Sequence, residues 1–314
     1  MVLAIAGVVV GLLLLTYASD QFVVGAARLS VAFRLSPILI GAVVIGFGTS
    51  APEMLVSGLA GAQGSLDIGV GNIIGSNVAN LSLVLGIAAL VTPIVVSSPV
   101  LKREAPISLG ATLVFAVLVQ SGLTRVEATV LAVVLVASLG LILWSARSGD
   151  PAMAGEVEEY LQHGDLPETR REAIRTLLGL LVTLGAAQIL VVSAITIAAE
   201  LGLEEGFVGL TVVAIGTSLP ELATAVQAAR KGETDLIVGN LLGSNLFNAA
   251  GVGAVAGFAG PGPLTDPSLA GLATWLMIAI GVVATLAMIT SKRVDRWEGA
   301  VLLVVYVAAL PLLA

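Results

Sequence analysis

Residues 41–80 read GAVVIGFGTSAPEMLVSGLAGAQGSLDIGVGNIIGSNVAN, and residues 209–248 read GLTVVAIGTSLPELATAVQAARKGETDLIVGNLLGSNLFN. The two stretches superpose without a gap at a constant offset of 168, and 17 of the 40 positions are identical. GTSAPE at 48–53 returns as GTSLPE at 216–221, and GNIIGSNVAN at 71–80 returns as GNLLGSNLFN at 239–248. The shared residues are mainly Gly, Thr, Ser, Asn, Pro and Glu, set in apolar surroundings. A duplication kept for packing alone has no reason to retain Glu, Asn and Ser there.

The rest of the chain says what those surroundings are. Of 314 residues, 57% are hydrophobic and 11% charged, with mean hydropathy +1.06. A soluble domain is about half apolar and a quarter charged, so the excess apolar surface calls for lipid as solvent. Apolar runs long enough to span a bilayer fall near 2–26, 36–62, 68–92, 105–121, 126–146, 174–200, 207–229, 236–260, 268–290 and 297–313. This predicts an all-α membrane protein of ten transmembrane helices. Met1 to Leu15 has neither a positive n-region nor a small-residue cleavage pattern, and is read as the start of the first span rather than a signal peptide.

Lys and Arg in short connections stay on the cytoplasmic side. Thirteen of the 14 basic residues follow odd-numbered spans or their ends, and Arg125 alone follows an even-numbered one. The expected topology has both termini outside and the 147–173 connection in the cytoplasm. Residues 1–146 and 174–314 then each hold five spans. Five is odd, so the second copy lies inverted relative to the first. Inverted repeats with a substrate site at their midplane interface are a recurring transporter design.

Within the repeats, Glu53 and Glu221 sit in apolar runs, where a carboxylate at the bilayer centre costs roughly 2.5–3.5 kcal/mol or more. Two such groups at equivalent positions are expected to meet at the pseudo-twofold axis, where a cation between them allows both to ionise. Pro52 and Pro220 precede them, and each removes the backbone donor that would satisfy the carbonyl four residues earlier, on Gly48 and Gly216. Thr49 and Thr217 stand beside these carbonyls. A broken helix deep in a membrane is tolerated where it lines a cavity or is buried in protein. In the next spans Asn72, Ser76 and Asn80, and Asn240, Ser244 and Asn248, recur at i, i+4, i+8 along one flank. Ser76, Asn80, Ser244 and Asn248 are candidate ligands or cavity lining, with interhelical hydrogen bonding as the competing role. Asn72 and Asn240 fit either. Gly71/Gly75 and Gly239/Gly243 suit close helix approach.

Every donor atom on offer is oxygen, which suits hard cations such as Ca²⁺, Na⁺ and Mg²⁺. Two bidentate glutamates and two threonine carbonyls supply six oxygens for Ca²⁺, and two carboxylates neutralise it. The net charge of −7 argues against a nucleic-acid partner. The chain has no Cys, and its one histidine, His163, lies in a polar connection. With no buried His or Cys and no paired intramembrane Asp, an intramembrane enzyme is disfavoured and no cofactor is expected. A channel with a paired-glutamate filter is a different solution to the same residues, distinguished by flux without a counter-ion.

The paired GTSAPE/GTSLPE and GNIIGSN/GNLLGSN motifs, with ASDQFVVGA at 18–26 in the first span, resemble the cation/Ca²⁺ exchanger superfamily, especially its prokaryotic sodium/calcium exchangers. The resemblance covers nearly the whole chain. It implies a multi-pass antiporter of the cytoplasmic membrane, functional as a monomer, exchanging Ca²⁺ for Na⁺ by alternating access at one shared midplane site. It further implies that Glu53 and Glu221 are the shared carboxylate ligands and that Thr49 and Thr217 lend carbonyls. Ser50, Ser218, Ser76, Ser244 and the Ala214 carbonyl would form flanking Na⁺ sites, with Asn80 and Asn248 facing the centre. The first and sixth spans would slide across the rest. Some prokaryotic and K⁺-dependent relatives carry Asp where this chain has Asn248, which weakens any case for K⁺ co-transport. Proton-coupled relatives usually carry a G-N-x-x-E pattern instead of G-T-S-x-P-E, although a buried carboxylate pair can take protons in place of metal, leaving H⁺-coupled Ca²⁺ antiport as the alternative.

Two features lie outside this scheme. Asp150, Glu156, Glu158, Glu159, Asp165, Glu168 and Glu172 make the 147–173 connection acidic; they read as a solvated linker, lacking the glycine and terminal glutamate of a Ca²⁺-binding loop. Asp20, near the end of the first span, either lines an ion path or pairs locally.

Overall fold

The computed structural model describes residues 1–32, 50–96, 98–146, 169–232 and 234–310. Among these residues the regular structure is helical apart from one two-stranded ribbon. In the first half come α1 (Val2–Ala32), α2 (Ala51–Ala62), α3 (Leu66–Ala79), α4 (Leu85–Val91), β1 (Ile94–Val95), α5 (Ser98–Leu118) and α6 (Arg125–Ala146). The second half holds α7 (Thr169–Leu201), α8 (Glu205–Val208), α9 (Ala214–Thr217), α10 (Leu219–Lys231), α11 (Thr234–Leu246), α12 (Gly253–Ala259), α13 (Thr274–Ser291), β2 (Arg293–Val294) and α14 (Arg296–Ala309).

Seven of the helices among the described residues are long and apolar enough to cross a membrane, and the bent pair 205–217 and 219–230 makes an eighth. The expected span at 36–62 is described only from residue 50, and that at 297–313 corresponds to α14, of 14 residues. Burial separates centre from rim. The spans at Leu66–Val91 and Ile237–Ala259, which carry the GNxxGSN motifs, are 83% buried, while Arg125–Trp144 is 17% buried. A helix apolar all round and exposed along most of its length is one whose solvent is lipid.

The repeat seen in the sequence is also a repeat of structure. Elements α2, α3 and α4 begin at 51, 66 and 85, and their counterparts α10, α11 and α12 begin at 219, 234 and 253, the same offset of 168. Each proline lies in the first turn of its helix, where the missing N–H has no intrahelical partner to lose. The chain breaks just before, at Ser50 (φ −89°, ψ 6°) and Ser218 (φ −86°, ψ 5°), nearly identical conformations in the two copies. At the second break the helix bends by 40°. Gly232, with φ +78°, ends α10 in a left-handed conformation that a side chain would strain.

One local feature has no precedent in the sequence reading. Residues 80–84, 209–213 and 247–252 are π-helical turns, so α3 runs into α4, and α11 into α12, through a wider turn. Such turns cluster at functional sites because they shift one backbone carbonyl out of the regular ladder.

The halves are sewn together twice. β1 pairs antiparallel with β2, Ile94 opposite Val294 and Val95 opposite Arg293. Leu123 and Gly262 exchange both backbone hydrogen bonds, 3.0 and 2.9 Å. Each half thus closes a loop of the other. Helices α1 and α7 run antiparallel in close contact: Gly7 meets Ser193, Gly11 meets Leu190 and Gly25 meets Thr176. Gly71, Gly75 and Gly209 bring α3 against the backbone of the 206–214 segment, the packing role expected for the first glycine pair. Nothing among the described residues approaches Gly243 of the second pair.

Candidate functional site

The two breaks bring the two glutamates into the buried centre. Glu53 opens α2 and Glu221 opens α10, with 0% and 1% of their surfaces exposed. The Glu53 carboxylate lies within electrostatic reach of Glu221 and beside the Thr217 hydroxyl. Helix termini explain the placement: a carboxylate in a first turn faces the positive end of its helix, and here two such ends converge.

Around the pair the structure gathers most of the expected residues. Ser244 Oγ donates to Glu221 Oε1 (3.2 Å), and Ser50 Oγ lies 3.3 Å from Ser244 Oγ. Thr217 Oγ1 donates to Asn72 Oδ1 (3.0 Å) and lies 3.4 Å from Ser76 Oγ. Asn80 Nδ2 donates to Asn245 Oδ1 (2.9 Å). These bonds cross from one repeat to the other, apart from the bond between Ser244 and Glu221. Ser50, Ser76, Asn80, Ser218, Ser244 and Asn248 are all buried. Thr49, with Gly48, lies outside the described residues. The Ala214 carbonyl is buried but already accepts from Ser218 N (3.1 Å) and from the Thr217 hydroxyl (3.3 Å).

What these groups do not bond to defines the site. Both oxygens of Glu53, Oε2 of Glu221, Ser218 Oγ, Asn80 Oδ1 and Asn248 Oδ1 are buried and receive no hydrogen bond among the described residues. A buried polar atom without a partner costs about 1–3 kcal/mol, more when charged, so this concentration in one place demands a ligand that is attracted to oxygen. No group of three or more His, Cys, Asp or Glu occurs among the described residues, so the negative charge comes from two carboxylates and the rest from neutral oxygens. That donor set fits a hard cation of low charge.

The two open assignments resolve differently. Asn72 has both ends engaged: Oδ1 accepts from Thr217, and Nδ2 donates to Ser57 Oγ at 3.0 Å. Asn240 is half-buried and has no side-chain partner among the described residues. Asp20 is exposed and accepts from Gln21 (2.9 Å), whose own oxygen takes two bonds from Arg175, a local pairing away from the site. Glu172, expected in a solvated linker, is instead buried at the start of α7 against Arg28 (3.3 Å) and Arg175 (3.7 Å). The other acidic residues of that connection lie outside the described residues.

Three contributors were missed. Asn245 and its counterpart Asn77 stand in the repeated GSN triplet, a signal that was present, but they fall one position off the i, i+4, i+8 flank. Ser57 carries no such signal, because the equivalent position holds Ala225.

The sodium/calcium exchanger protein family profile matches residues 3–144 and 173–313, covering both repeats and leaving out the connection between them. The chain belongs to the sodium/calcium exchanger family. This places it among transporters rather than enzymes, with Ca²⁺ and Na⁺ as the cations the family carries. Its relatives include a protein named putative antiporter CaxA from Alkalimonas amylolytica, 38% identical over 98% of this chain and 97% of that one. Another is the sodium/calcium exchanger MaX1 of Methanosarcina acetivorans, 29% identical over 96% of each chain. Among solved structures, the sodium-calcium exchanger NCX_Mj, soaked with Na⁺ and Sr²⁺, superposes with a TM-score of 0.67 at 29% identity, over 99% of this chain and 98% of that one.

Proposed function

We propose that this exchanger carries Ca²⁺ one way and Na⁺ the other by alternating access at the Glu53–Glu221 site, three Na⁺ for each Ca²⁺. The observation that carries the reading is the convergence of two buried carboxylates amid neutral oxygens that lack hydrogen-bond donors. Ca²⁺ neutralises the pair and accepts six to eight oxygens in flexible geometry. Glu53, Glu221 and the carbonyls of Thr49 and Thr217 are its proposed ligands. Na⁺ takes Ser50, Ser76, Ser218, Ser244 and the Ala214 carbonyl, with Asn80 and Asn248 completing the centre; the carbonyl of Ala214 gives up its Thr217 bond to do so. Both ions need the same carboxylates, so neither crosses without the other's departure.

The architecture proposed around the site is ten spans in two inverted five-helix repeats, 1–146 and 174–314, in the cytoplasmic membrane, acting as a monomer. The antiparallel run of α1 against α7, the first helix of each half, supports inversion. The basic residues support external termini and a cytoplasmic 147–173 connection.

The test is ⁴⁵Ca²⁺ uptake into proteoliposomes under imposed Na⁺, H⁺ or K⁺ gradients. Uptake should follow an outward Na⁺ gradient. It should also accelerate when the lumen is made positive and slow when it is made negative, because three Na⁺ leaving for one Ca²⁺ entering exports one positive charge.

 Acceleration by a negative lumen is instead the response of a channel admitting Ca²⁺, and would overturn exchange. Uptake indifferent to potential contradicts the stoichiometry, and uptake driven by a pH gradient without Na⁺ overturns Na⁺ coupling in favour of H⁺.

A further inference from the structure

Asn72 sits in a hydrogen-bond chain that leads away from the glutamates. Ser57 Oγ donates to the Gly69 carbonyl (3.1 Å), Asn72 Nδ2 donates to Ser57 Oγ (3.0 Å), and Thr217 Oγ1 donates to Asn72 Oδ1 (3.0 Å). Ser57, Asn72, Ser76 and Thr217 are each 0% exposed, so no water competes for these bonds.

The direction of the chain follows from counting protons. A hydroxyl has one proton and two lone pairs, and an amide has distinct donor and acceptor ends. The Ser57 proton is committed to a backbone carbonyl, so Ser57 offers Asn72 only a lone pair. Asn72 must then turn its NH₂ toward Ser57 and its oxygen toward Thr217. The Thr217 proton goes chiefly to that oxygen at 3.0 Å, with the Ala214 carbonyl a second and longer acceptor at 3.3 Å, so between Ser76 and Thr217, 3.4 Å apart, Ser76 is the donor. From Ser76 to Gly69 each proton engaged in the chain points toward its Gly69 end, and the Glu53 oxygens receive no hydrogen bond among the described residues. What Thr217 and Ser76 keep for the pocket is lone pairs, the form in which a hydroxyl binds a cation. Reversed, the same hydroxyls would aim protons at it.

The second half has no such root. The position equivalent to Ser57 is Ala225 and that equivalent to Gly69 is Ile237.

We propose that Ser57 is a positioning residue: without touching an ion, it fixes the direction of the Ser76–Thr217–Asn72 chain and so tunes the Na⁺ affinity of that flank. This rests on the exchange reading above. Ca²⁺, held chiefly by the two carboxylates, is affected less.

The test is Ser57→Ala in proteoliposomes, measuring half-saturation for Na⁺ and for ⁴⁵Ca²⁺ separately. The Na⁺ constant should rise roughly tenfold, the scale of one buried hydrogen bond, with the Ca²⁺ constant within about twofold of wild type. Ser57→Thr, which keeps the hydroxyl, should restore the Na⁺ constant. Thr112→Val removes a buried hydroxyl that bonds only its own helix, at Ser108 O, and should move neither constant. Equal shifts of both constants in Ser57→Ala, no shift, or the same split in Thr112→Val would overturn the proposal. If Ser57→Ala does not reconstitute, Ser57→Cys, a weaker donor, should give a smaller split of the same sign, and an unchanged Na⁺ constant there overturns it equally. Wild-type protein without Na⁺-dependent Ca²⁺ flux would instead defeat the exchange reading itself.

Discussion

The two halves share backbone and motif, yet their side chains are wired differently. In the second half Ser244 donates to Glu221; the equivalent Ser76 is directed to Thr217 instead, leaving both oxygens of Glu53 without a donor. In the first half Asn80 is held by Asn245, whereas the equivalent Asn248 has neither end of its amide bonded among the described residues. Asn77, which by symmetry should hold Asn248, turns its Nδ2 to the Met277 sulfur at 3.5 Å. Duplication supplies two copies of each ligand, but one pocket cannot satisfy both copies alike. One copy is held by protein and the other is left for the ion.

Three pairs of substitutions bear on this comparison. The largest effect belongs to the carboxylates. Glu53→Gln and Glu221→Gln should each lower ⁴⁵Ca²⁺ uptake on the order of a hundredfold, since each leaves a buried Ca²⁺ with only half its charge neutralised. Normal flux in either would remove that carboxylate from the site and break the pairing. Next come the asparagines. Asn80→Asp forfeits the bond to Asn245 Oδ1 and sets a carboxylate against that oxygen, while Asn248→Asp forfeits nothing among the described residues. Transport affinity for Ca²⁺ should therefore suffer roughly tenfold more in Asn80→Asp; equal losses would show the two to be interchangeable. The smallest effect is in their supports. Asn245→Ala should weaken Ca²⁺ affinity by about threefold to tenfold by freeing Asn80, with Asn77→Ala near wild type in the same uptake assay.

The fold was legible where sequence and physics coincide. Glu, Asn and Ser inside apolar runs are too costly to be accidental, and the offset of 168 located the paired breaks at Ser50 and Ser218 as well as the helices that follow. Proline fixed where each helix begins. The π-helical turns left no trace, because slipping a hydrogen bond by one residue alters neither composition nor periodicity. Ser57 was invisible for the opposite reason: symmetry was the guide, and Ser57 breaks it. Glu172 was misread as linker because its neighbours in sequence are acidic, whereas its neighbours in space are Arg28 and Arg175.

The reciprocal stitching at Ile94–Val294 and Leu123–Gly262 has a consequence for biogenesis. A ribosome making this chain releases residue 94 some two hundred positions before its partner exists. The first half therefore enters the bilayer with an open strand edge and must wait, and contacts so distant along the chain form slowly. Neither half is a finished unit until the last helix arrives, so splitting the gene between the repeats should yield fragments that assemble only when made together.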